Sequence, residues 1–315
     1  MAADIHKPTK NKTEIHPADP MAEAGRLIFA RQLRRMKSHE QGSRSGENIE
    51  SVHQMRVAIR RMRSLFNLIG AHYRRKTVAE FERGLREIAR ALGAIRDLDV
   101  LILDLQEFQA TLPPESQDAL ASVIALLDER RSACRLRLIR LFDSKRYARF
   151  LRRFQRLTKR SGRGARRVKR EESPHQVRHV LPLLLYERLA RVKAYESVLP
   201  ATDDTVLHAL RVEYKQLRYA LEFFQPILGT SAGRFLKQVK AMQEILGRIN
   251  DIAVFNECVN NLDGLSPEQI SVLRRYRSAR ETELVGLREA FDEAWTRFNK
   301  RSTQRLFSDS LLVLR

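Results

Sequence analysis

The chain is poor in the residues that break or staple a fold. Its 315 residues include two cysteines, thirteen glycines, ten prolines and one tryptophan. Glycine and proline together run at about half their average share, which disfavours a turn-rich architecture and favours long helices. The two cysteines, Cys134 and Cys258, stand far apart inside apolar helical patterns. Neither has a C-x-x-C partner or a histidine at ligand spacing, so both read as buried free thiols rather than as a disulfide or metal site. No run approaches the roughly 18 apolar residues of a membrane span, and the first twenty residues lack the apolar core of a signal peptide. The expectation is a soluble protein of a reducing compartment, the cytoplasm.

Acids are scarce relative to bases. Lys plus Arg number 59 against 38 Asp plus Glu, a formal net charge of +21 with a pI near 10.6. Hydrophobic residues make up 43% of the chain, enough for a large core, so disorder throughout is excluded. A field of that sign selects polyanions: nucleic acid, an acidic membrane surface or a phosphate polymer.

Apolar residues recur with period 3.6 in long stretches and nowhere alternate like a half-buried strand, which predicts an all-α class. The pattern places helices near 22–40, 48–71, 77–110, 115–143, 179–197, 203–228, 231–262 and 267–299. Pro113-Pro114 separates two of them, and Ser266-Pro267-Glu268 supplies a cap followed by proline at a first helical position. Residues 1–21 read as a disordered tail and 300–315 as a C-terminal tail. Between a first half over 22–150 and a second over 179–299 lies a linker, 151–178. Within it, residues 152–170 carry ten Lys or Arg and no acid, with Gly162 and Gly164 inside, and read as a basic, partly disordered segment.

The two halves repeat one another. His53-Gln-Met-Arg56-Val-Ala-Ile-Arg60-Arg61-Met-Arg63 recurs as His208-Ala-Leu-Arg211-Val-Glu-Tyr-Lys215-Gln216-Leu-Arg218 at an offset of 155 residues. Leu92-Gly93-Ala-Ile95-Arg-Asp97 recurs as Leu246-Gly247-Arg-Ile249-Asn-Asp251 at an offset of 154. Order and spacing repeat together, which indicates two four-helix halves from an internal duplication.

At about 100° per residue from His53, Arg56, Arg60 and Arg63 fall near roughly 300°, 340° and 280°, beside an apolar face of Met55, Ile59, Met62, Leu65, Phe66 and Ile69. In the second copy His208, Arg211, Lys215 and Arg218 share the polar stripe, and Leu210, Tyr214, Leu217, Leu221 and Phe224 the apolar one. Tyr219 falls near the basic stripe, so its hydroxyl is a candidate to face the same ligand. Arg83 and Arg86 correspond to Lys237 and Lys240 one helix further on. Cations repeated at one-turn spacing suit a chain of phosphates, because guanidinium forks bind oxyanions bidentately and need no base edges. An isolated charge run is ordinarily a solvated face, and duplication at matched positions is what lifts this one above that reading. His53 and His208 stand at helix starts, where backbone bonding and ligand binding are both open. Asp97 and Asp251 suit salt bridges to facing cations better than a metal.

These motifs resemble the CHAD domain, the conserved histidine α-helical domain, over roughly residues 22–299. The resemblance implies two pseudo-symmetric four-helix bundles around a basic central cavity that binds inorganic polyphosphate, without a cofactor. Its ligand positions carry over to His53, Arg56, Arg60, Arg63, His208, Arg211, Lys215 and Arg218; Arg83, Arg86, Lys237 and Lys240 are added from spacing alone. Gln216 opposite Arg61, and Glu213 inside the second motif, suggest that the second copy holds phosphate less strongly. Some relatives carry a triphosphate-tunnel hydrolase domain whose E-x-E-x-K signature is absent here, as is a P-loop, so the chain reads as a non-enzymatic binding module with association to polyphosphate granules. Nucleic-acid binding, supported by the net charge and the basic linker, and an enzyme of polyphosphate using Asp97 and Asp251 are the alternatives. Against the former, Phe66, Phe81, Phe108, Phe223 and Phe224 sit at core spacing rather than in a stacking row.

Overall fold

Period-3.6 patterning gives helices and nothing else: the computed structural model describes residues 14–167, 174–199 and 204–314, and among them there is no strand. The first half holds α1 (Met21–Ser38), a short α2 (Glu40–Ser45), α3 (Ile49–Ile69), α4 (Arg75–Gln109), α5 (Pro114–Asp143) and α6 (Lys145–Lys159). The second holds α7 (Val177–Lys193), α8 (Asp204–Phe224), α9 (Ser231–Asn260), α10 (Pro267–Asn299) and α11 (Arg301–Leu311). Local chemistry sets the boundaries. Asn48 accepts the Glu50 backbone N–H at 2.7 Å to start α3. Ser266 and Gln269 exchange reciprocal bonds of 2.8 and 3.2 Å to start α10, with Pro267 at the first position. Both devices satisfy amide groups that a helix start otherwise leaves unpaired.

In the first half α3 packs between α1 and α4, and α4 folds back along α5; in the second α8 packs between α7 and α9, and α9 along α10. Neighbours therefore follow the same order in both halves, with a fifth helix added to each: α6 against α1, α4 and α5, and α11 against α9 and α10. The halves meet where α3 lies against α8 and where α5 lies against α10. Met55, Ile59, Met62, Leu65 and Phe66 of α3, and Leu210, Tyr214, Leu217, Leu221 and Phe224 of α8, are all buried in one core. A second apolar cluster joins the far ends of the two long hairpins, bringing Leu101, Leu105, Leu120 and Val123 to Phe255, Val259 and Tyr276.

Three segments expected to be irregular are built in. Of the basic stretch, residues 152–159 belong to α6, whose Tyr147, Phe154 and Leu157 are buried while the cations face outward. Beyond it, the turn over residues 160–167 is held by Arg74 N–H donating to the Gly164 carbonyl at 2.9 Å and Arg166 N–H to His72 at 2.9 Å. Residues 168–173 of the expected linker lie outside the described residues. The presumed C-terminal tail is largely α11, with Phe307 fully buried. Of the presumed N-terminal tail, residues 1–13 lie outside the described residues, but Ile15 and Asp19 are buried, and Val177 N–H donates to the Asp19 carbonyl at 2.8 Å, tying this segment to the start of α7. Cys134 and Cys258 are free thiols, half-buried rather than buried.

Two carboxylates stitch the halves. Asp104 of α4 takes Arg248 of α9 at 2.7 Å and Arg280 of α10 at 3.0 Å. Arg61 of α3 reaches Glu222 of α8 at 2.6 Å, and the same acid accepts from Arg218 at 2.8 Å and lies 3.8 Å from Lys240. Glu222 is 10% exposed, so its partners are not readily replaced by water. Glu222→Gln is expected to cost about 1.5–3 kcal/mol, the range for hydrogen bonds to charged groups, read by urea unfolding. Unchanged stability would show that the link does not hold the halves.

Candidate anion-binding site

The burial that fixes α3 and α8 also decides where their polar faces go. With both apolar faces in the core, Arg56, Arg60 and Arg63 come into electrostatic reach of Arg211 and Lys215. Burial, and then the charges of Arg211, Arg60, Arg56 and Arg63, push Lys215 down from the ordinary 10.5 to about 8. Arg60 is held below the ordinary arginine range by burial, with Arg56 and Arg218 acting in the same direction against Tyr219. Arg211 is lowered by burial, opposed by Asp251. Arg63 is lowered by burial and by Arg86 and Arg90, against the opposing pull of Glu82. Burial is the first cause for each of these groups, and the neighbouring cations add to it.

Counter-charge sits at the two margins. Near the starts of the helices, Arg56 lies 3.5 Å from Asp97, and Asp251 faces Arg211, Arg248 and Asp97. Burial raises both aspartates, and the neighbouring arginines pull them back. At the other margin stands Glu222. Between them Arg60, Arg63 and Lys215 have no carboxylate at ion-pair distance among the described residues, which leaves a cationic middle.

Several expected roles change. Tyr219 is buried, and its ring lies under the guanidiniums of Arg61, Arg60 and Arg218 at 5.5, 5.7 and 5.9 Å, so it supports the cations rather than offering an exposed hydroxyl. Arg61 bridges the halves through Glu222, and Gln216 stands at its place in the second copy. Arg218 and Lys240 share Glu222 and are partly neutralised. Arg86 joins the seam beside Arg63. Arg83 does not, because it lines an outer groove between α4 and α6 with Arg146 and Arg149. Lys237 is exposed, and no described interaction draws it into the cluster.

The two histidines meet different partners. His53 has Arg96 in electrostatic reach, and burial followed by Arg96 lowers it; His208 Nδ1 bonds the Asn250 side-chain oxygen at 2.7 Å. Arg96 and Asn250 occupy corresponding places in the Leu-Gly repeat, and of the two pairs only the second is a hydrogen bond. Arg90, Arg96 and Glu222 are the functional neighbours that spacing did not single out. Arg96 lay inside the repeated segment, and Glu222 stood one turn after Arg218, the spacing of a helical ion pair. Among the described residues, no three His, Cys, Asp or Glu side chains group to hold a metal ion.

The model of the CHAD domain family matches residues 27–260. Two uncharacterized proteins of Mycobacterium tuberculosis are each 28% identical over 249 residues, covering 76% of this chain and 45% of their own length; the chain thus spans about half the length of the curated relatives it matches. Among solved structures, the CHAD domain of the plant Ricinus communis superposes with a TM-score of 0.65 at 23% identity over 98% of both chains. PptA from Streptomyces chartreusis superposes with a TM-score of 0.65 at 15% identity, over 88% of this chain and all of that one. At such identities these structures show the shared fold.

The depressed Lys215 has a consequence for stability. Its unfolded form binds its proton up to about 10.5 and its folded form only up to about 8, so between those values the unfolded state holds more protons and stability rises with pH. Lys215→Met is therefore expected to melt above the wild type at pH 7, with the gap closing as pH climbs through 8. A gap independent of pH would show that Lys215 is not crowded by the arginines.

Proposed function

The chain belongs to the CHAD domain family, and from that premise we propose that it binds inorganic polyphosphate along the seam between α3 and α8, as a binding protein without turnover. The observation that carries this reading is the uncompensated middle of the seam, where Arg60, Arg63 and Lys215 from two helices share one space. A polymer with an anion at every repeat compensates all of them at once. Guanidinium forks take phosphate oxygens bidentately, and a bound chain restores the Lys215 proton that crowding disfavours. A cytoplasmic location and association with polyphosphate granules follow from the same reading. No helix among the described residues is long and apolar enough to cross a membrane.

Nucleic acid fits the seam less well. Phe66, Phe81, Phe223 and Phe224 are buried, and Phe108 packs on Tyr276 at 5.4 Å, so the rings expected at core spacing offer no platform for bases. Catalysis is disfavoured because the acids nearest the cations, Asp97 and Asp251, already face arginines rather than standing free to activate water.

The test is displacement of labelled long-chain polyphosphate by unlabelled polyphosphate, single-stranded DNA or double-stranded DNA across a salt series. Polyphosphate is expected to compete best, with a log–log salt slope near −0.7 per contacted phosphate as for single-stranded nucleic acid, several units in all. Affinity should also fall as pH rises through 8. Equal competition by DNA, or a flat salt dependence, would overturn the proposal, and phosphate release with Mg²⁺ or Mn²⁺ would replace binding with hydrolysis.

A further inference from the structure

We propose that the outer faces of α4 and α6 form a second phosphate-binding track, which takes the part of a long polyphosphate chain that the seam does not hold. The inference rests on the polyphosphate reading and extends it to a surface which that reading does not use.

The track begins in a cleft of about 630 Å³ whose walls carry Arg74, Arg149, Arg152, Arg153, Arg156 and Arg163. The single acid in its lining is Glu80, which Arg153 already engages at 2.6 Å. The other five guanidiniums have no carboxylate partner among the described residues. This is a shaped wall rather than a loose basic tail. Tyr147, Phe154 and Leu157 anchor α6 in the core, which fixes the outward side on which Arg149, Arg152 and Arg156 stand. Opposite, Gly164 turns the chain with φ +77°, and a Cβ there would meet Leu157 at 2.8 Å and Thr77 at 3.0 Å. Glycine at this point lets the turn close onto α6, and the bonds from Arg74 and Arg166 hold Arg163 in place beside the helix.

The cleft leads toward the seam. A neighbouring groove of about 450 Å³ shares Glu80, Arg149 and Arg153 with it and adds Lys76, Arg83 and Arg146; Arg146 is engaged by Glu87 at 3.0 Å. Arg83 is one turn before Arg86, which neighbours Arg63 of the seam. Cations therefore run from the seam over α4 to the outer cleft. The ligand favoured is a phosphate chain rather than nucleic acid, because the rings in these walls are committed to packing: Phe81 is buried, and Phe150 lies edge-on to it at 6.2 Å.

The test compares the wild type, the outer variant Arg149→Gln/Arg152→Gln/Arg156→Gln and the seam variant Arg56→Gln/Arg60→Gln/Arg63→Gln. Each is titrated with a short oligophosphate, long-chain polyphosphate and double-stranded DNA. The three outer arginines are exposed, so the fold should survive, and thermal melts check it. The outer variant is expected to bind the short chain like the wild type and the long chain roughly tenfold more weakly, the combined effect of three exposed charge contacts. Its long-chain salt slope should be shallower by about 2, near 0.7 for each lost contact. Long-chain affinity and slope unchanged in the outer variant, with both chain lengths lost in the seam variant, would overturn the track and leave the seam standing. Loss of DNA binding alone would assign the cleft to nucleic acid and overturn the track likewise. A wild type that binds neither chain length would overturn the polyphosphate reading itself.

Discussion

Arg56, Arg60 and Arg63 enter the same space as Arg211 and Lys215 because the apolar faces of α3 and α8 have to be buried away from it. Each helix has one stripe it must hide and one it must solvate, and once the two helices pack against each other their cationic stripes converge. The hydrophobic effect thus drives an electrostatically costly arrangement. Unit charges a few ångströms apart interact by on the order of several kcal/mol even at an effective dielectric near 20. Lys215 is lowered to about 8 by burial first and then by those neighbouring arginines.

The molecule limits the repulsion at the margins and leaves the centre open. Asp97 and Asp251 face the arginines near the starts of the motif helices, while Glu222 gathers Arg61, Arg218 and Lys240 near their ends. The charges divide by partner: Arg61–Glu222 crosses between the halves, the other marginal pairs stay within a half, and the middle has no carboxylate at ion-pair distance among the described residues. Tyr219, with three guanidiniums over its ring, adds a surface on which those cations rest without being neutralised. His208 ties its helix to Asn250 of the Leu-Gly repeat.

The eight expected helices lie within a few residues of their observed bounds because their apolar period is long and their starts carry chemical signals, as at Ser266-Pro267. The helices α6 and α11 were hidden for different reasons. Tyr147, Phe150, Phe154 and Leu157 recur at the spacing of a helix face, but ten cations and two glycines beside them read as a linker. In α11 only Phe307 and Leu311 carry the apolar stripe, too few to distinguish a helix from a tail. At the seam, the repeat singled out cations of α3 and α8 that the fold brings near one another, since matched spacing on a matched apolar face fixes direction. It failed for Arg83, because one-turn spacing along α4 does not reveal that α6 will pack beside that residue. It also missed the purpose of Arg61, whose partner Glu222 is 161 residues away.

The central claim is that the two motif helices act on one chain of phosphates. Titration calorimetry with long-chain polyphosphate tests it on the Arg56/Arg60/Arg63 triple variant, on the Arg211/Lys215/Arg218 triple variant and on the wild type. A shared site predicts that either triple variant weakens the same binding event, with the stoichiometry of the remaining event unchanged. If each triple variant instead removed half the stoichiometry and left the residual affinity at the wild-type value, the halves would bind independently and the shared seam would be contradicted.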